Sequence, residues 1–169
     1  MMHTYVNYKV SRLMKIVDYS KKEMSERVIE LFSTIYPNWT MEELNRITYD
    51  EDNQLHVTTK IALINDQIVG QANIFRLLNN PTVANLGYHV HPDNRRRGIG
   101  TKLSTKAMKI AKKSGIKTII VQTEADNLGA IILARKLGFE IPPKSFLEEN
   151  ESELKIHRLR NGICLYKRI

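Results

Sequence analysis

Three consecutive arginines followed by two spaced glycines stand in this 169-residue chain as Arg95-Arg96-Arg97-Gly98-Ile99-Gly100-Thr101. Residues of these types at this spacing suit the holding of a polyphosphate. Glycine has no Cβ, so a ligand can approach its backbone closely. A helix that starts here offers N–H groups without intrahelical partners and the positive end of its dipole, which together bind phosphate. Arginine adds a planar fork of donors suited to two parallel bonds to one anion. Other residues offer less. Cys164 is the only cysteine and stands in an apolar run, so it reads as core packing and excludes an internal disulfide. His56, His91 and His157 have no motif around them. No His, Cys or acidic residues stand at metal-ligand spacing, so no metal is expected, and scattered residues do not make a Ser/His/Asp triad.

Such a turn needs a strand before it and a helix after it. Residues 82–90 read as the strand, and Pro92, which lacks an N–H and biases His91 towards an extended conformation, stops it. Downstream, Ile99, Leu103, Ala107, Ile110 and Ala111 share one helical face, Lys102, Lys106, Lys109 and Lys113 share the other, and Ser114-Gly115 closes the helix. Residues 117–124 read as an interior strand, because Ile119, Ile120 and Val121 are apolar on both faces. Asp126 or Asn127 caps a final helix that buries Ala130, Leu133, Ala134 and Leu137 and ends at Gly138.

Before the turn, residues 5–17 read as a first strand. The capping boxes Ser20-Lys21-Lys22-Glu23 and Thr40-Met41-Glu42-Glu43 open a helix to about Tyr36 and a shorter one to about Ile47, with an acidic loop over 49–53. Residues 56–64 and 67–77 read as strands joined by Asn65-Asp66. After the last helix, 142–153 reads as a polar connection, and short strands 154–159 and 163–168 flank an Asn161-Gly162 turn. The expected fold is one α+β domain over 1–169, with a central mixed, mostly antiparallel sheet flanked by helices. Leu86 to Glu124 supplies its one parallel strand–helix–strand unit.

Composition narrows the class. Hydrophobic content of 42% and charged content of 26% are ordinary for a soluble globular protein. No apolar run approaches the roughly 18 residues of a membrane span. The first ten residues lack the charged-then-apolar pattern of a signal peptide, and one lone cysteine fits a reducing compartment, so a cytoplasmic protein with no membrane partner is expected. Of the formal charge of +8, the placement says most: residues 95–123 hold nine basic residues and no acidic one. That segment has neither interleaved aromatics nor a DNA-reading motif, so a solvated face explains it and nucleic acid is not an expected partner.

Two motifs in register carry a resemblance. Val90-His91-Pro92 leads into Arg95-Arg96-Arg97-Gly98-Ile99-Gly100, which has the form [Arg/Gln]-x-x-Gly-x-[Gly/Ala], and Asn127-x-x-Ala130 with Leu137-Gly138-Phe139 follows at the matching distance. Over Leu86 to Phe139 the chain resembles the GNAT superfamily of acyl-CoA-dependent N-acetyltransferases. The resemblance implies a GNAT-like fold, acetyl-CoA as cosubstrate and transfer of its acetyl group to a primary amine by direct attack. It implies that Arg95 to Thr101 (Arg95, Arg96, Arg97, Gly98, Ile99, Gly100 and Thr101) hold the pyrophosphate, the last six through their backbone N–H groups. Tyr88, His89 and Val90 would pair with the pantetheine amides, and Asn127 would contact the same arm, cap its helix, or do both.

The reaction needs a base for the amine, an N–H donor for the thioester oxygen, placed by the resemblance near Val90, and an acid or a stabilising group for the departing thiolate. Family members often carry a tyrosine where this chain has Ala134, and a glutamate where it has Gln122. Glu124, on the same strand face as Gln122, is the first candidate base. Tyr88 and His89, near the expected thioester, are the others. The acceptor, a small molecule or a protein amine, would meet Tyr36, Trp39, Glu42, Glu43, Tyr49 and Asp50 to Asp52. These suit a small cationic amine, although core packing for the rings and loop or helix-start roles for the carboxylates are the simpler reading. The missing acid and base leave a catalytically weak acyl-CoA-binding or sensor module as the alternative, and a homodimer is compatible with either.

Overall fold

The computed structural model describes residues 13–45, 53–154, 159 and 161–169. Strand β1 (Met14–Asp18) is followed by helices α1 (Lys21–Ile35) and α2 (Met41–Asn45) and by the meander β2 (His56–Ile64), β3 (Gln67–Arg76) and β4 (Val83–Val90). Helix α3 (Ile99–Lys113), strand β5 (Thr118–Glu124), helices α4 (Leu128–Lys136) and α5 (Lys144–Asn150) and strand β6 (Gly162–Arg168) complete the order. The six strands lie in one sheet in chain order. Every neighbouring pair is antiparallel except β4 with β5, which the α3 crossover makes parallel.

Side-chain alternation sorts the core into two faces. Ala62, Ala72, Ala84, Leu86, Ile119 and Val121 point to the face covered by α3 and α4, where they meet Leu103, Ala107 and Ala134. On the other face, Val28, Leu31 and Phe32 of α1 and Leu44 of α2 pack on Ile61 and Ile68. Further along it, Phe146 and Leu147 of α5 cover Ile120 and Tyr166. Asn65 and Asp66 both adopt positive φ, 50° and 61°. That is what a tight two-residue hairpin between right-twisted strands demands.

Several expectations change in detail. The described part of the 5–17 strand is β1 alone. The Thr40 box forms, with the Glu43 N–H donating to Thr40 Oγ1 at 3.2 Å and the Thr40 N–H to Glu43 Oε2 at 2.7 Å. The Ser20 box does not form: no side chain caps α1, and the Ser20 carbonyl accepts from the N–H groups of Glu23 and Met24 instead. Residues 142–153 are not a loop. Pro143 precedes α5, where its missing N–H is no loss, and the helix packs on the sheet a half-buried apolar pair, Phe146 and Leu147, that the surrounding glutamates masked. Leu154 follows a short 3-10 turn rather than opening a strand, and the rest of 154–159, save residue 159, lies outside the described residues, as does most of the 49–53 loop.

Candidate functional site

The parallel strands β4 and β5 pair only over Val83–Asn85 with Thr118–Ile120. Beyond that point β4 continues to Val90 against β3, and β5 continues to Glu124 against β6. A gap therefore opens in the middle of the sheet. At its base Gln122 Nε2 donates to Asn85 Oδ1 at 3.0 Å, a clasp across the diverging strands. The backbone beside the gap can be assigned. His91 donates its N–H to Val69 on the β3 side, and the Thr82 carbonyl accepts from Lys117 and Thr118 on the β5 side. Alternation along the strand then turns the N–H and C=O groups of Leu86, Tyr88 and Val90 towards the gap.

At the open end of the gap sits the arginine–glycine turn. A 3-10 turn, Pro92–Asn94, redirects the chain after β4, and Arg95 Nε donates back to the Val90 carbonyl at 3.1 Å. Arg96 and Gly98 have positive φ, 59° and 76°. No side chain caps α3, so its first N–H groups face outward unclaimed. A Cβ on Gly98 would meet nothing within 4 Å, so this space is open to a ligand. Gly100 differs from the expectation: a Cβ there would stand 2.8 Å from Leu133 Cδ2 and 3.7 Å from Val90 Cγ2. Its lack of a side chain lets α3 close onto α4 and β4, not a ligand onto the helix. Ile99 is buried in the core, leaving only its backbone for binding; Arg95, Arg96, Arg97 and Gly98 are exposed and Thr101 is half-buried.

Asn127 begins α4, and its Oδ1 accepts from the Ala130 N–H at 3.2 Å; the capping role is present, and the exposed side chain keeps its amide NH2 for another partner. Tyr88 points to the α3–α4 face and donates its hydroxyl to the Ala130 carbonyl at 2.6 Å, tying α4 to β4. Burial pushes its pKa far above the usual phenol range, so it stays protonated and hydrogen-bonded. Ala134, at the place of the usual tyrosine, is fully buried core. Cys164 is buried in β6, and burial pushes its thiol up to about 12, which leaves it un-ionised and inert as a nucleophile at neutral pH.

His89 faces the opposite side, towards α1. Its ring lies 4.5 Å from Phe32 and 5.9 Å from Tyr36, and Tyr36 stacks on Trp39 at 4.2 Å. Burial first, and then the nearby Arg95 charge, lower its pKa to about 4. It is therefore neutral at pH 7 and a poor proton acceptor. Its Nδ1 is buried without a hydrogen-bond partner. Glu124 closes β5, half-buried, on the same sheet face as Gln122.

The structure thus brings together two of the expected acceptor-wall residues, stacking Trp39 on Tyr36 and setting Tyr36 against His89 of β4. Glu43 is committed to capping α2, Glu42 lies in the first turn of that helix, and Tyr49 and Asp50 to Asp52 lie outside the described residues. Three features escaped sequence reasoning. Phe32 read only as part of an apolar helix face; the Asn85–Gln122 clasp joins residues 37 apart; and Arg95 turns back onto its own strand. Among the described residues there is no group of three His, Cys, Asp or Glu able to hold a metal, and no helix is long and apolar enough to cross a membrane.

Comparison with known proteins follows the same lines. A family model described as the acetyltransferase (GNAT) family matches residues 25–139. A segment of 51 residues is 47% identical to an uncharacterized N-acetyltransferase of Methanocaldococcus jannaschii, and covers 30% of this chain but only 23% of that relative. Among solved structures, an acetyltransferase of the GNAT family from Staphylococcus aureus Mu50 superposes with a TM-score of 0.73 at 21% identity, covering 92% of this chain and 99% of that one. The PaiA N-acetyltransferase of Thermoplasma acidophilum, solved in complex with coenzyme A, superposes with a TM-score of 0.67 at 16% identity, covering 93% and 99%.

Proposed function

The chain belongs to the acetyltransferase (GNAT) family, and on that premise we propose that it transfers an acetyl group from acetyl-CoA to a primary amine by direct attack, with no metal. The observation that carries this reading is the gap between β4 and β5, lined by outward-turned backbone groups of β4 and closed at one end by an uncapped helix start. These features fit coenzyme A. The open space over Gly98 and the free N–H groups of Arg96 to Thr101 suit a pyrophosphate, with Arg96 and Arg97 adding charge. The β4 edge at Tyr88 would take the pantetheine amides as an added strand takes its neighbour. The Asn127 amide NH2, not used in capping α4, would contact the same arm. Bound acetyl-CoA supplies the activated acetyl group as a thioester.

The chain's own contribution is positioning and proton handling. The Val90 carbonyl is occupied by Arg95, which leaves the Val90 N–H as the group free to donate where negative charge develops. Tyr88 holds α4 against β4, so its hydroxyl shapes the gap and does not move a proton. His89 is too weak a base to take the ammonium proton. Glu124 takes that proton, through water, and the solvent-filled mouth of the gap returns one to the departing sulfur.

The test is thiol release from acetyl-CoA with a panel of amines. Glu124→Gln is expected to lower turnover by about 10² or more, the usual worth of a positioned base, with calorimetric affinity for acetyl-CoA little changed. An unaltered rate across the pH range removes Glu124 from this role. Acetyl-CoA binding without turnover of any amine instead favours the binding or sensor module that Ala134 and Gln122 suggest.

A further inference from the structure

Resting on the acetyl-transfer reading, we propose that the acceptor is an amine that also carries a carboxylate, and that Arg95 grips this carboxylate on the α1 side of β4. Arg95 Nε is fixed on the Val90 carbonyl at 3.1 Å, which anchors the guanidinium on the same residue whose backbone N–H is argued to face the reacting carbonyl. The two terminal nitrogens stay available, and their fork matches a carboxylate through two parallel hydrogen bonds. Arg95 is exposed, and among the described residues no carboxylate pairs with it.

Its surroundings fit the same class of ligand. The wall beside it is made of the neutral rings of Phe32, Tyr36, Trp39 and His89, in contact at 4.2–5.9 Å, and Trp39 opens it to solvent at 38% exposure. The charge of Arg95 is felt by both Tyr36 and His89. Glu43, a candidate partner for a polyamine, is bound into its own cap. Among the described residues this wall offers a polycation a guanidinium and flat rings. An amino acid or peptide-like acceptor brings the counter-charge with it and keeps its amine beside β4.

The experiment measures kcat/KM for thiol release with matched pairs, L-amino acids and dipeptides against their C-terminal carboxamides, with spermidine as the polycation. The quantity read is the ratio of carboxylate to carboxamide within one enzyme preparation, because losses of acetyl-CoA affinity or of folded protein cancel in it. A ratio of about tenfold to a hundredfold is expected for the wild type, the worth of one charge-assisted pair. Arg95→Gln should bring the ratio close to one, and Arg95→Lys, which keeps the charge but loses the fork, should leave it in between. A wild-type ratio near or below one, a preference for spermidine, or a ratio untouched by Arg95→Gln overturns the assignment while leaving acetyl transfer standing. Absence of turnover with every amine overturns acetyl transfer itself, and this assignment with it.

Discussion

Acidification should destabilise this protein through one identifiable residue, His89. In the folded chain its pKa is about 4, against the ordinary value of 6.5 for the unfolded chain. Between those values the unfolded state binds a proton that the folded state refuses, so stability falls as pH drops from about 6.5 to 4 and has no further His89 contribution below that. A gap of this size, at about 1.4 kcal/mol per unit, gives a loss of about 3 kcal/mol. The assay is urea unfolding of wild type and His89→Phe at intervals from pH 7 to pH 4. Phenylalanine keeps a ring against Phe32 and cannot titrate. Every other titratable group is common to both proteins, so the difference between the two curves isolates His89. Wild type should lose about 2–3 kcal/mol more than the variant over this window. Because Arg95 supplies the second part of the shift, Arg95→Gln should shrink the wild-type loss without abolishing it. Parallel curves for wild type and His89→Phe would show that His89 protonates as readily folded as unfolded, and the buried placement argued from its ring contacts would be wrong.

Two further outcomes follow from the turn and from the α4 anchor. Gly98→Val should lose about 1–2 kcal/mol of stability from its positive φ and also lose calorimetric acetyl-CoA affinity. Gly98→Asn, which tolerates this φ better, should keep most of the stability but still bind weakly, and normal binding by either variant would refute the placement of the pyrophosphate. Tyr88→Phe removes the bond from Tyr88 to the Ala130 carbonyl and should destabilise by about 1 kcal/mol, while kcat at saturation, measured by thiol release, changes by less than about threefold; a hundredfold fall in kcat with intact folding would make Tyr88 a proton donor after all.

The parts of this molecule legible in its sequence are those governed by short-range rules. Strand β2 and the Asn65-Asp66 hairpin follow from a run rich in β-branched residues and from turn chemistry, and α3 follows from a glycine start and a lysine stripe. The Thr40 box reads correctly because both partners lie within one helical turn. The Ser20 box has the same letters and fails, since a backbone carbonyl meets the N–H groups its side chain was expected to serve. Helix α5 was hidden because Phe146 and Leu147 make too short an apolar stripe to outweigh two prolines and a run of glutamates. At the site, the anion-binding turn is local and legible. His89 is not: its unperturbed pKa made it look like a base, and only the rings of α1, more than fifty residues earlier, and the return of Arg95 reveal a neutral one. Gly100 likewise looked like ligand clearance until Leu133 was placed above it.

The three-residue pairing of β4 with β5 has a mechanical consequence. It makes the sheet two plates, β1–β4 and β5–β6, riveted by Val83–Asn85 against Thr118–Ile120 and by the Asn85–Gln122 side chains just beyond. A plate joint so short leaves backbone groups of β4 to water along the rest of the seam, where a continuous sheet would pair them. A ligand lying in that seam completes the sheet as well as occupying a site. Without a ligand the two plates are joined by that short pairing and by the shared α3–α4 core, so a ligand held there would also stiffen the seam.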